Sequence, residues 1–208
     1  MHALFSRFTG KRGTENQILK KPDTLSPARI VLFFVALQLL VLAASAAPIQ
    51  FGETINGKIS LPHVNDSYTF SANASDMVLL RMRSDWQTFP LIRLYAPNGT
   101  RIAEYFGSAF QSSVFAKLPD TGTYTALVGD EDGVNTGTYT LYLQRTNNPG
   151  LSNAIGFGET RSDTIGERAQ FDTWTFDGVK DDRILLRMRS DWQTFPLILL
   201  YAPNGTRI

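Results

Sequence analysis

The 208-residue chain contains no cysteine and only two histidines, and after Ala47 no stretch has the apolar period of an amphipathic helix. Without thiols there is no disulfide stapling and no cysteine nucleophile, so stability outside a cell must come from packing. Without a second histidine after the leader, His63 stands alone. A Ser-His-Asp triad or a His-based metal site needs a positioned imidazole or several ligands, and neither is expected. No glycine-rich phosphate loop follows a strand. Catalysis is therefore not expected of these residues, and no cofactor is required.

The chain also lacks basic surplus where it would matter. Six of its 20 Lys and Arg (Arg7, Lys11, Arg12, Lys20, Lys21, Arg29) and two of its 19 Asp and Glu (Glu15, Asp23) precede Ile30, leaving 14 basic against 17 acidic residues in 47–208. With no Lys/Arg cluster in that part, a nucleic-acid partner has no electrostatic footprint. What the first residues do have is a basic region followed by Ile30–Ala44, fifteen residues in which only Gln38 is polar, and then the small-x-small triplet Ala44-Ser45-Ala46. This pattern predicts an amino-terminal hydrophobic signal helix in residues 1–46, with cleavage after Ala46. The alternative is an uncleaved membrane anchor over residues 30–47, at the lower edge of bilayer-spanning length. Either way the basic flank places the remainder outside, so the protein is expected to be secreted or held at the cell surface, touching membrane only through this segment.

Residues 79–102, LLRMRSDWQTFPLIRLYAPNGTRI, recur at 185–208 with one change, Arg93 to Leu199. The match extends back at the same offset of 106 residues to Phe51 and Phe157, but sparsely: nine identities in the 28 pairs before Leu79, then 23 in 24. Exposed positions tolerate substitution freely, so loop residues such as Gln87 and Asn98 would not be copied by the demands of folding alone, and the sharp boundary reads as a recent duplication, gene conversion or an assembly artefact. A period near one hundred residues is the size of a small β-domain, too long for a solenoid unit. The expected organisation is a first sandwich at 48–147, a linker at 148–154, and at 155–208 a truncated second repeat, whose half-sandwich is marginal alone.

Asp66–Phe70, Thr123–Val128 and Gly137–Leu143 alternate in polarity and are rich in aromatic and β-branched residues. Pro97-Asn98-Gly99 and Pro119-Asp120-Thr121-Gly122 punctuate them as tight turns. The fold class expected is all-β, an antiparallel sandwich. Val78, Leu80 and Met82 fall on one face of their strand, with Leu79, Arg81 and Arg83 on the other. Position 93 lies outward if Ile92 and Leu94 point in. Across the repeat Tyr68 pairs with Trp174 and Val78 with Ile184, the large-for-large exchange of core positions.

Asp66-x-Tyr68-x-Phe70, then Leu94-Tyr95-Ala96-Pro97-Asn98-Gly99, then Gly122-Thr123-Tyr124, then Tyr139-Thr140-Leu141 resembles the D-x-(Y/W)-x-F, L-Y-x-P-x-G, G-x-Y and Y-x-L elements of the bacterial and archaeal pre-peptidase C-terminal domain. Asp172-x-Trp174-x-Phe176 and Leu200–Gly205 begin the series again. The resemblance implies jelly-roll-like β-sandwich repeats attached to secreted proteins, with roles in binding polymers such as collagen, in secretion or in surface display. Some relatives use calcium. The second acid that members carry two residues before the motif aspartate is replaced here by Val64 and Gln170.

Candidate binding residues are Arg81, Arg83, Asp85 and Trp86, with Trp192 as the repeated tryptophan, since Trp and Arg anchor interfaces and an aromatic on a loop stacks on a sugar. The competing reading has Trp86 closing one end of the core. Asp130, Glu131 and Asp132 are weak calcium candidates: they lack EF-hand spacing, with Leu141 where a bidentate acid belongs, and also suit a solvated hairpin loop. Asn65, Asn73, Asn98 and Asn204 begin Asn-x-Ser/Thr triplets that permit glycosylation. The function expected is an exported, non-catalytic repeat module for binding, adhesion or spacing, with an extracellular polysaccharide, other polymer or protein as partner. The alternative is the accessory region of a secreted hydrolase, most plausibly a peptidase.

Overall fold

The computed structural model describes residues 45–191 and 196–208. The expected signal or anchor helix and Trp192 lie outside the described residues. Among the described residues no helix is long and apolar enough to cross a membrane.

Nine strands build two sheets. They are β1 (Ala47–Pro48), β2 (Thr54–Ile59), β3 (Asp66–Ala72), β4 (Met77–Ser84), β5 (Pro90–Tyr95), β6 (Arg101–Phe106), β7 (Gln111–Lys117), β8 (Gly122–Asp130) and β9 (Gly137–Arg145). The five-stranded sheet runs β1-β3-β8-β5-β6 and the four-stranded sheet β2-β9-β4-β7. All neighbours are antiparallel except β1, which pairs in parallel with β3. Alternation explains the layering. Val78, Leu80 and Met82 of β4 and Leu141 and Leu143 of β9 meet Phe70, Ile92, Leu94, Tyr124, Ala126 and Val128 of the other sheet in one core, all of them buried. Arg93 faces outward, as alternation requires, bonding Glu104 and, at 2.8 Å, Glu131.

The two sheets are also tied by polar groups. The Tyr139 hydroxyl on β9 donates to Asp66 Oδ2 at 2.5 Å and lies 2.7 Å from the Tyr68 hydroxyl, both on β3 of the opposite sheet. The first and last elements of the recognised motif series are thus one hydrogen-bonded unit. Beside it, Gly57 of β2 is registered with Tyr139. A Cβ at Gly57 would come within 2.2 Å of the Tyr139 ring. Gly57→Ala is expected to displace the ring and cost about 1–3 kcal/mol of overpacking, seen as a lower urea midpoint with unchanged slope; an unaltered midpoint would mean the ring yields freely.

β9 departs from simple alternation, for Tyr139 to Gln144 are buried without interruption. Its core side is Tyr139, Leu141 and Leu143; its outer side is Thr140, Tyr142 and Gln144. Residues 151–173 cover that outer side. Gln144 Nε2 donates to the Leu151 carbonyl at 3.2 Å and to Thr173 Oγ1 at 3.1 Å, and the Tyr142 hydroxyl meets Thr173 Oγ1 at 2.9 Å. Phe171 packs edge-on to Tyr142 and lies under the Arg81 guanidinium, 4.4 Å from its ring centroid.

Segment 155–208 repeats the local geometry of the first sandwich without its sheets. β10 (Asn153–Ala154) pairs in parallel with β11 (Trp174–Thr175), in the register that Ala47–Pro48 keeps with Tyr68–Thr69 at an offset of 106. Phe157 and Phe176 meet edge-on at 5.9 Å, as Phe51 and Phe70 do at 5.6 Å. Both Ala-Pro-Asn-Gly-Thr turns close with an Ala-to-Thr bond of 2.8 Å and a glycine at φ near 80°, 82° at Gly99 and 84° at Gly205. The Tyr201–Arg207 bridge repeats Tyr95–Arg101. What is missing has a topological cause. In the sandwich β2 pairs with β9, β4 with β7 and β9, and β5 with β6 and β8, so almost every bond of the first half is made to residues 101–145. Apart from the start of β6, residues 155–208 contain no counterpart of those strands, and the segment keeps the contacts it makes within itself and those it makes against the first sandwich.

Candidate functional site

Antiparallel connectivity sends alternate loops to opposite ends of the sandwich. One end gathers the β2–β3 loop (60–65), the β4–β5 loop (85–89), the β6–β7 loop (107–110) and the β8–β9 loop (131–136). They are locked to one another. The His63 amide donates to the Gly133 carbonyl at 2.8 Å, the Glu131 amide to Phe89 at 3.0 Å, the Phe89 amide to Gly107 at 3.0 Å and the Ser84 amide to Phe110 at 2.8 Å. His63 and Phe89 adopt left-handed backbone, φ 60° and 52°. That conformation is costly for a bulky side chain and persists only where the surroundings impose it.

Carboxylates make the end rigid. Asp85 Oδ2 accepts from the Thr138 amide at 2.9 Å and hydroxyl at 2.8 Å, fixing the start of β9. Burial, the largest influence on Asp85, pushes its pKa up. The two Thr138 bonds, its own amide and the positive charge of Arg168 outweigh it and hold the group below the usual carboxylate range. Asp130, buried, accepts from the amides of Val134 and Asn135 at 2.9 Å each and from the Asn135 side chain at 3.1 Å. Glu131 pairs with Arg93. Of the three calcium candidates, two are thus engaged in holding the loop, and Asp132 is exposed. Among the described residues no group of three acids or histidines is arranged to hold a metal.

Trp86 lies beneath these loops, 6% exposed, its ring edge-on to Tyr139 at 6.4 Å. It closes the core and does not offer a face for stacking; the apolar surface of this end comes from other residues. Phe106 (47% exposed), Phe110 (36%), Leu61 (64%) and Val134 (67%) stand out from three of the four loops or their edges, with Val64 and Tyr105 beside them. Phe89 packs edge-on to Phe106 and supports it from the fourth loop. None was singled out by sequence, because a lone apolar residue in a loop is ordinary and only the fold brings these loops to one end.

The arginines leave this group. Arg81 and Arg83 point from β4 onto the outer face of the four-stranded sheet. Burial first, then the charge of Arg83, lowers the Arg81 pKa, and Arg81 Nη2 donates to Gln111 Oε1 at 2.7 Å. Asn65 sits on the loop-bearing end, whereas Asn73 and Asn98 lie in loops at the opposite end; these three and Asn204 are exposed. Asn98 and Asn204 each accept the amide of the threonine two residues on. Cleavage after Ala46 would fall immediately before β1, whose neighbour Ile49 is buried.

Neither a protein-family model nor a curated protein matches the chain. Among solved structures it is similar to the pre-peptidase C-terminal domain of a collagenase from Bacillus anthracis, at 20% identity over 47% of this chain and 93% of that domain, with a TM-score of 0.39. It is also similar to PliG, a periplasmic inhibitor of g-type lysozyme, from Aeromonas hydrophila (17% identity, 48% and 94% covered, TM-score 0.37) and from Salmonella Typhimurium (16%, 48% and 96%, TM-score 0.34).

Proposed function

We propose that this chain is an exported, non-catalytic β-sandwich module of the pre-peptidase C-terminal type, which holds an extracellular polymer or protein through its loop-bearing end. The observation that supports this most directly is the set of apolar side chains, Leu61, Phe106, Phe110 and Val134, held in solvent by loops that are hydrogen-bonded to each other. Exposed apolar side chains on a rigid base are the pattern of an interaction site, and rigidity lowers the entropy lost on binding. The carboxylates Asp85 and Asp130 are engaged in loop architecture, which favours a structural role for them over acid–base chemistry. The leader and the small-residue triplet ending at Ala46 supply the export.

Co-sedimentation of the full chain with fibrillar collagen and with insoluble cellulose tests this reading. Retention on one of them is expected, and the double variant Phe106→Ser with Phe110→Ser should abolish it while leaving the melting temperature almost unchanged, since both rings are partly in water already. Retention that survives the double variant, or no retention on either polymer, would remove the loop end from the mechanism.

A further inference from the structure

A second surface carries chemistry of another kind. On the outer face of the four-stranded sheet, the register places Asn56 of β2 opposite Thr140 of β9, and Thr140 opposite Arg83 of β4. Glu167 and Arg168 of the covering segment close over this row and leave a cleft of about 380 Å³, with Thr138 at one side. That volume falls near the lower end for small-ligand pockets. Arg83 is half-buried and Arg168 exposed, and neither has a hydrogen bond or ion pair among the described residues. Lys58, registered with Thr138, adds a third cation on the same face. Against them stand two carboxylates, Glu167 in the cleft and Asp85, which accepts from Thr138 and lies within reach of the Arg168 charge. The surplus is local, for residues 47–208 are net acidic.

A buried polar atom points the same way. Thr140, in the wall of the cleft, is 6% exposed and its hydroxyl has no partner. Buried polar groups nearly always have partners, so such an atom in the wall of a cleft points to a missing one. A guanidinium fork matches the two oxygens of a carboxylate. The Thr140 hydroxyl and the Asn56 amide match the hydroxyls of a sugar ring, and the Thr138 hydroxyl, whose proton goes to Asp85, offers an acceptor beside them.

We propose that this cleft binds the carboxylate of an acidic polysaccharide, with Arg83 and Arg168 holding the carboxylate and Asn56, Thr138 and Thr140 the sugar hydroxyls. The cleft borders the loop-bearing end through Asp85 but uses none of its apolar side chains, so the two readings are tested independently. It also joins the sandwich to the segment that follows, because Arg168 reaches it only while Phe171 and Thr173 are seated on Tyr142 and Gln144.

Affinity electrophoresis of the full chain through gels containing polygalacturonate, with neutral dextran as the control, tests the assignment. Polygalacturonate should retard the protein at low salt and dextran should not, and the retardation should fall as salt rises. Arg83→Gln and Arg168→Gln should each weaken binding roughly ten- to hundredfold, the range for a lost charge-assisted bond. Thr140→Val should weaken binding while leaving thermal stability equal or higher, a combination that a purely structural threonine would not give. The Phe106→Ser, Phe110→Ser variant should bind polygalacturonate as the wild type does. Retardation by dextran equal to that by polygalacturonate, no retardation by either, or an Arg83→Gln variant of undiminished affinity would each overturn the proposal.

Discussion

Trp86→Ala should unfold much of this protein's margin of stability, by about 3–5 kcal/mol, the usual cost of deleting a buried large aromatic. For a domain of this size that corresponds to a fall in melting temperature on the order of 15 °C or more. The ring is 6% exposed and meets Tyr139 edge-on, so its loss leaves a cavity over the end of the core. The indole Nε1 is buried and has no partner. Trp86→Phe therefore removes an unsatisfied donor along with part of the ring and should cost far less, about 1–2 kcal/mol. Urea titrations followed by circular dichroism separate the two variants. An alanine variant within about 1 kcal/mol of the wild type would place the indole at the surface and revive it as a stacking platform.

This residue also marks where sequence stopped being informative. Trp86 sits among Arg83, Asp85 and Gln87 in a loop, a setting that suits an exposed anchor and a core lid equally, and only the packing of β9 beneath it decides. The strands themselves were legible because period-two alternation is a local signal. β3, β4 and β8 follow it, and the outward position of Arg93 follows from the inward Ile92 and Leu94. The second copy shows the limit of such signals. Leu79-Leu80-Arg81-Met82-Arg83 is a buried strand, while the same five residues at 185–189 form none and leave Leu185 90% exposed. Identical local sequence gives a strand only where β7 and β9 exist to pair with it, as expected if strand formation depends more on neighbours than on intrinsic preference. The cleft was hidden for the same reason. Arg83 was a candidate because it flanks Trp86, but Asn56, Thr140 and Arg168 lie between 27 and 85 residues away in the chain and become its neighbours through register and through the returning segment.

The last prediction concerns the link between sheets. Tyr139→Phe keeps the ring and deletes one oxygen, which leaves Asp66 without its buried donor and the Tyr68 hydroxyl without its partner. One of the two lost bonds is charge-assisted, so the expected cost is about 2–4 kcal/mol. The same oxygen sets the response to alkali. Burial first, then the bonds to Asp66 and Tyr68, push the Tyr139 pKa far above that of a free phenol, and burial also raises Tyr68 and Tyr142. In the unfolded chain each tyrosine loses its proton near pH 10, and in the folded chain later. Above that pH the folded state holds more protons than the unfolded one, so stability is fully present below about pH 10 and declines as the pH rises, by about 1.4 kcal/mol per pH unit for each phenol still held neutral. Tyr139→Phe should therefore be less stable than wild type at pH 8 but show a shallower decline between about pH 10 and 12, because its position has no proton to lose. Unfolding free energies measured at unit steps across that range decide it. Parallel curves would mean that Tyr139 already titrates normally in the folded protein, and that the bond to Asp66 contributes no coupling between the sheets.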